Sequence, residues 1–303
     1  MVHIQTTRAC VLFAAVGALS CQALPAQTAS FSGDLLPAVR RAAALIPGDP
    51  PTALRVVSLN PFRWALSEVV EGGSADTVTA AYPVFQIRFP HGWIVVDAAL
   101  DRDFVPDSKT FSDADYRQIQ VALRDARLVV VTHEHHDHVA GVIRSPYLAQ
   151  VQQHTLLTRA QVQTLLTYPN DPRIKIDSVV AARYLTIDYD PFVPIAPGVV
   201  LIKAAGHSPG SQMIYVRLAS GQEVILAGDV AWNMSGIETQ RQKPDSITRG
   251  FGGEDREALA RQLRWLRDIS GPRTTVVVSH DDAWIRTLIS RGVLLSGFDF
   301  KNR

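Results

Sequence analysis

The residues best suited to chemistry stand together in one stretch, His133-Glu134-His135-His136-Asp137-His138, with Gly141 close behind. A hydrophobic run, Leu128 to Thr132, delivers four imidazoles and two carboxylates into a loop; packing does not require them, and the mutual repulsion of the imidazoles when protonated is unfavourable. A divalent metal supplies the missing reason. In an extended loop His133 and His135 project to one side and can share one ion, while Asp137 and His138 follow a bend and can serve another. Three later residues end strand-like runs in the same manner: His207 after Val199 to Ala204, Asp229 after Val224 to Ala227, and His280 after Val276 to Ser279. Corresponding strand ends of a layered α/β fold converge on one edge. His133, His135 and His207 are therefore assigned to a first metal and Asp137, His138 and His280 to a second, with Asp229 able to bridge both. Imidazole and carboxylate suit zinc, so the expected cofactor is two Zn2+, with manganese, iron or cobalt also compatible.

Other patterns compete with this one and fall away. Gly206-His207-Ser208-Pro209-Gly210 satisfies the Gly-x-Ser-x-Gly pattern of serine hydrolases, but that elbow needs a following helix and a backbone N–H just after the serine. Pro209 has no N–H, and Ser211 to Leu218 reads as strand. A zincin is excluded because His133-Glu134 is not followed by histidine at 137. Glu134 and His136 are expected to point away from the metals as loop residues, His91 to sit in a turn and His154 at the surface.

The elements that must position these groups alternate between strand and helix. Val84 to Phe89, a turn at Pro90-His91-Gly92 and Trp93 to Val96 read as a hairpin ending in Asp97. Leu128 to Thr132, Val199 to Ala204, Met213 to Leu218, Glu223 to Leu226 and Thr274 to Val278 read as strands. Tyr116 to Arg124, Arg159 to Leu166, Asp255 to Ile269 and Asp282 to Ile289 read as helices. In the third of these Leu259, Leu263, Leu266 and Ile269 share one face, so it should cover a sheet. Hairpins among interleaved strands and helices indicate layered α/β packing with mixed sheets.

At this point the chain resembles the metallo-β-lactamase-fold superfamily of hydrolases, over about residues 84–285. The resemblance is carried by the His-x-His-x-Asp-His loop, the later His207, Asp229 and His280, in order and each after a strand. It implies an αββα four-layer sandwich, two mixed sheets flanked by helices, with a dinuclear zinc site between the sheets. Asp97 matches an acid of that superfamily that orients the ligand loop. Two zinc ions can hold a hydroxide near neutral pH that attacks a carbonyl or phosphoryl centre, with Asp137 as both ligand and proton carrier.

The bridging role of Asp229 argues against a true β-lactamase. The stretches Gly228-Asp229-Val230-Ala231 and Ser279-His280-Asp281 look most similar to quorum-quenching lactonases that open acyl-homoserine lactones. Those lactonases carry a substrate-binding tyrosine three residues beyond the bridging aspartate, where this chain has Trp232. Trp232, Met234 and Phe251 lie in the insertion after Asp229 that should overhang the metals and line a substrate pocket. Thioester hydrolysis of the glyoxalase II type, to which Arg241, Lys243 and Arg249 leave some room, phosphotriester hydrolysis and a non-catalytic zinc-binding module are the alternatives.

Composition sets the outer bounds. The 303 residues are 47% hydrophobic and 19% charged, and 30 Lys and Arg face 29 Asp and Glu. That balance excludes disorder and gives no basic surplus for nucleic acid, so the expected partner is a small molecule, neutral to weakly anionic. Residues 1–26 read as a signal peptide: Arg8, an apolar run from Ala9 to Leu19 too short to span a bilayer, and small residues near Ala23 to Ala26. Its removal would take both cysteines, Cys10 and Cys21, and leave a chain exported to the periplasm or beyond with no thiol. Lipid anchoring at Cys21 is the lesser option. Residues 27–54 are expected to form a lead-in and 55–303 a single catalytic domain.

Overall fold

Strands with apolar residues on both faces require cover on both faces, and the chain provides it in four layers. The computed structural model of the protein describes residues 31–105 and 111–301. The expected signal peptide and Cys21 lie outside the described residues.

Seven strands form the first sheet in the order β12-β1-β2-β3-β4-β5-β6: β1 (Ala53–Ala65), β2 (Thr77–Arg88), β3 (Trp93–Val96), β4 (Leu128–Val130), β5 (Thr155–Thr158), β6 (Leu185–Ile187) and β12 (Leu295–Ser296). Five form the second in the order β11-β10-β9-β8-β7: β7 (Phe192–Ala196), β8 (Val199–Lys203), β9 (Gln212–Arg217), β10 (Glu223–Leu226) and β11 (Thr274–Val277). Both sheets are mixed: β1, β2 and β3 pair antiparallel and β3 to β6 parallel, while β10 pairs antiparallel with β9 and parallel with β11.

The period-2 alternation of a strand explains the layering. In β8, Val199 and Leu201 face the first sheet, where they meet Leu54, Phe85, Ile94 and Val130. Val200 and Ile202 face outward onto helices α1 (Leu35–Ala42) and α6 (Arg256–Ile269). The outer face of the first sheet is covered by α2 (Asp113–Arg124), α3 (His136–Ile143) and α4 (Arg159–Thr167), through Ile119, Leu123, Val139 and Leu165. Two further helices, α5 (Met234–Thr239) and α7 (Asp282–Ser290), follow the ends of β10 and β11. This is the αββα sandwich that the resemblance implied. Within residues 27–54, α1 lays Leu35, Leu36, Val39 and Ala42 on the second sheet, and Arg40 Nη2 pairs with the buried Glu223 Oε2 on β10 at 2.6 Å.

Three departures from the sequence pattern bear on the site. No strand is legible over 53–65, yet β1 is the longest in the sheet. Asn60-Pro61 interrupts its alternation, and in the structure that pair is a bulge between Leu59 and Phe62, with Asn60 at φ 49°. The His133–His138 stretch is not wholly an extended loop, because α3 begins at His136 and supplies the expected bend. His154 is half-buried, not at the surface, with Nε2 2.8 Å from the Leu123 carbonyl.

Candidate metal centre

Five strand ends on one edge build the centre. β3 and β4 run parallel in the first sheet; β8 and β10 both run antiparallel to β9, and β11 runs parallel to β10. Their C-terminal ends therefore point one way and present Asp97, His133, His207, Asp229 and His280 respectively. Gly228 sits at φ +58°, a left-handed conformation that lets the chain turn directly after β10. Gly141 lets α3 approach the end of β3 closely, since a Cβ there would lie 2.0 Å from the Ala98 carbonyl oxygen.

The seven residues singled out as ligands come together. His133, His135 and His207 form one trio of potential ligand atoms, and Asp137, His138 and His280 form another. Asp229 lies between them. Its Oδ2 is 3.4 Å from His207 Nε2, 3.8 Å from His133 Nε2 and 3.3 Å from His280 Nε2, and its Oδ1 is 3.3 Å from His138 Nε2. His280 Nε2 is 3.4 Å from Asp137 Oδ2, and His207 Nε2 is 3.0 Å from His135 Nδ1. Ligands about 2.1 Å from a tetrahedral zinc stand about 3.4 Å from one another. The donor set thus has the spacing that such an ion imposes.

Electrostatics agree with the spacing. His133 Nε2, His138 Nε2 and Asp229 Oδ1 are buried and make no hydrogen bond among the described residues, a costly condition unless a cation completes them. Burial pushes His133 and His135 well below the ordinary imidazole range, reinforced by the neighbouring rings. Burial alone would raise the Asp229 carboxyl, but His280, His138 and His133 outweigh it and hold the group well below its usual range. Asp137 is likewise lowered against burial, by His138 first. His138 and His280 go up against burial because Asp229 and its neighbours favour their cationic forms. The two ionised carboxylates thus favour positive charge beside them, which protonated His138 and His280 or a cation among the ligands can supply.

A second layer orients the rings. Asp97 Oδ1 accepts from the Thr132 N–H at 2.6 Å, and its Oδ2 lies 3.0 Å from His138 Nδ1. Asp97 holds φ 63° to do so, a strained conformation fixed by these contacts. His280 Nδ1 lies 2.9 Å from the Ala81 carbonyl, and His207 Nδ1 lies 2.5 Å from Glu254 Oε1. Glu254 is held in turn by Lys243, whose Nζ stands 2.7 Å from Oε1 and also donates to the Asp229 carbonyl. Burial disfavours ionisation of Glu254, but Lys243 and His207 keep it ionised. Neither Glu254 nor this use of Lys243 is legible in the sequence, because both lie in aperiodic chain between α5 and α6.

Not every expectation about the surrounding residues holds. Glu134 stays a loop residue outside both trios, as expected, but is fully buried: it accepts from Ser208 Oγ at 2.9 Å and from the Gly210 N–H at 3.1 Å. That clamp occupies the serine of the Gly-x-Ser-x-Gly pattern. His136 stays outside both trios, but it opens α3, stacks on Phe104 and pairs with Asn170 at the rim of the cavity. Trp232 does reach the site: its Nε1 donates to Asp229 Oδ2 at 2.7 Å, and its ring lines the cavity. Met234 does not. Asn233 caps α5 and Asp281 Oδ2 accepts the Met234 N–H, which turns the chain away, so Met234 packs near Ile237 beside a separate groove. Phe251 ends a short turn, Arg249–Phe251, and its side chain lies outside the described residues. Arg241 binds the Gly72 carbonyl and Arg249 pairs with Asp245 at the surface, so neither lines the cavity, and nor does the buried Lys243.

The cavity in front of the centre measures about 240 Å3. His135, Asp137, Asp229 and His280 form one wall, and Phe62, Trp64, Tyr82 and Trp232 form the other. Phe62, Trp64 and Tyr82 are the part of this lining that the sequence alone did not disclose.

With this geometry established, the chain belongs to the metallo-beta-lactamase superfamily, whose family model matches residues 84–280. Among solved structures it is similar to a quorum-quenching N-acyl homoserine lactone lactonase, with TM-score 0.60 and 16% identity over 78% of this chain and 95% of that one. A B. thuringiensis enzyme with N-decanoyl-L-homoserine bound at its active site gives TM-score 0.60 at 15% identity, over 78% and 96%. A dizinc quorum-quenching lactonase in complex with a product gives TM-score 0.53 at 12% identity, over 77% and 92%. At these identities the likeness establishes the fold. A search of curated proteins finds no match.

Proposed function

We propose that the protein is a dinuclear zinc hydrolase that opens an ester-type bond, with a lactone as its first substrate class. The observation that carries this reading is the pair of donor trios on either side of Asp229, facing a cavity with no lysine or arginine in its lining among the described residues. His133, His135 and His207 would hold one ion, Asp137, His138 and His280 the other, and Asp229 would join them. Zinc ions so bound supply Lewis acidity and water acidified enough to attack near neutral pH.

The chain's own residues provide the rest. Asp137 has the most exposed side chain of the set, at 17%, and faces the cavity, so it can take the proton released by water and pass it to the leaving alkoxide. Trp232 fixes the orientation of Asp229 through its indole N–H, and Asp97 and Glu254 fix His138 and His207. The aromatic wall limits access of bulk water. Lactone rings are uncharged, which matches a lining with no lysine or arginine among the described residues, and several similar structures are lactonases. The same property disfavours the anionic thioester of the glyoxalase II type. Purified protein stripped by a chelator should be inactive and regain turnover with zinc. A parallel panel of lactone, thioester and phosphotriester should show the lactone turned over fastest; preference for either of the others would replace this substrate assignment. Export by loss of residues 1–26 is part of the proposal, and N-terminal sequencing of protein recovered from intact cells tests it.

A further inference from the structure

The four rings that line the cavity beside the metal centre form a continuous aromatic array. Trp232 stacks on Trp64 with centroids 5.1 Å apart at 19°, Trp64 meets Phe62 edge-on at 5.1 Å, and Phe62 stacks on Tyr82 at 5.1 Å and 30°. Tyr82 then meets His280 edge-on at 5.8 Å, which brings the array to the metal wall. Phe62, Trp64 and Tyr82 are only partly buried, so the array opens into the cavity instead of closing within a core.

A backbone device sets this placement. Tyr82 pairs with Leu59, and two residues earlier Ala80 pairs with Phe62 instead of residue 61. The extra residue of the bulge re-aims the end of β1, so that Phe62 and Trp64 follow the face of Leu59 while Pro61 and Arg63 turn to solvent. Bulges beside a site commonly aim side chains in this way. The polar points of the array are its two indole N–H groups, of which that of Trp232 is taken by Asp229, and the Tyr82 hydroxyl, which makes no hydrogen bond to another described residue.

We infer that this array is a subsite for a planar aromatic substituent of the substrate. The inference rests on the hydrolase reading above and specifies its substrate class. An added ring continues the stacked and edge-to-face series, a gain that an alkyl chain of equal carbon count does not share. A rigid ring also gives up less conformational freedom on binding. The cavity is at the small end for ligand pockets, which suits a compact ring better than a long chain. The Tyr82 hydroxyl lies where the apolar wall meets the centre, placed to donate to the acyl oxygen.

The test compares N-phenylacetyl-homoserine lactone with N-octanoyl-homoserine lactone, matched in acyl carbon count, on the zinc-loaded full chain. The expected result is a kcat/KM about tenfold higher for the phenylacetyl compound, carried mainly by KM. Trp64→Leu should bring the ratio near unity, and Trp64→Phe should keep most of the preference. Bound zinc and melting temperature serve as checks that each variant is folded. Quenching of protein fluorescence by phenylacetamide reads the subsite without turnover, and should saturate in the wild type and weaken in Trp64→Leu. Equal or greater activity on the octanoyl compound, or a ratio unchanged in Trp64→Leu, overturns the aromatic subsite and leaves the hydrolase reading standing. Saturable quenching with no turnover of either lactone supports the subsite and overturns the lactone assignment to which the hydrolase reading was narrowed.

Discussion

The two walls of the cavity are built on opposite principles. On the metal wall almost every side chain is buried and held by a second contact: His138 by Asp97, His207 by Glu254, His280 by the Ala81 carbonyl, and Asp229 by Trp232. On the aromatic wall Phe62, Trp64 and Tyr82 are partly exposed and are held by ring contacts and apolar packing, with no hydrogen-bonded partner among the described residues of the kind that fixes each metal-wall ring. The first wall must fix several like-charged groups within a few ångströms, so each ring needs a partner that sets its orientation. The second has only to present apolar surface of a given shape. Chemistry is thus lodged in the wall that tolerates least change, and substrate choice in the wall that tolerates more.

Perturbing the metal wall should have the largest effects. Asp229→Ala removes the carboxylate between the two trios; loss of an outer partner alone typically costs 10–100-fold, so kcat/KM should fall by more than about a hundredfold. Assay of zinc content alongside turnover checks it. Glu254→Gln keeps the shape but leaves Lys243 as an unpaired buried charge. Metal affinity by chelator competition should weaken about 10–100-fold, and stability in urea should drop by about 3 kcal/mol. Adding Lys243→Met should restore the stability and not the affinity, which separates positioning of His207 from folding.

Gly141→Ala tests the approach of α3 to the end of β3. The Cβ would meet the Ala98 carbonyl at 2.0 Å, and the resulting shift should cost about 1–3 kcal/mol in a urea melt. The smallest effect is expected from Met234→Ala: since Met234 faces a groove apart from the centre, turnover should stay within about twofold of wild type. A large loss would return Met234 to the cavity.

The same contrast explains what the sequence disclosed. His133 to His138 are contiguous and follow a β-branched run, and His207, Asp229 and His280 each follow another, so local pattern was enough to collect the metal wall. Trp232, three residues past Asp229, was legible for the same reason. Met234 was misplaced because nearness in sequence to Asp229 was taken for nearness in space, and the cap of α5 reverses the chain between them. The aromatic wall depends on a bulge at Asn60-Pro61, whose residues read as a break in pattern, and on pairing between β1 and β2. Glu254 and Lys243 were hidden because a carboxylate just before a helix ordinarily faces water, whereas here its side chain is 2% exposed.

The most direct test of the central claim is a zinc titration of chelator-stripped protein, following lactone hydrolysis and bound metal together. The account predicts two equivalents bound per chain, with turnover appearing as the second site fills. Saturation at a single equivalent, or full turnover by the stripped protein, would contradict it.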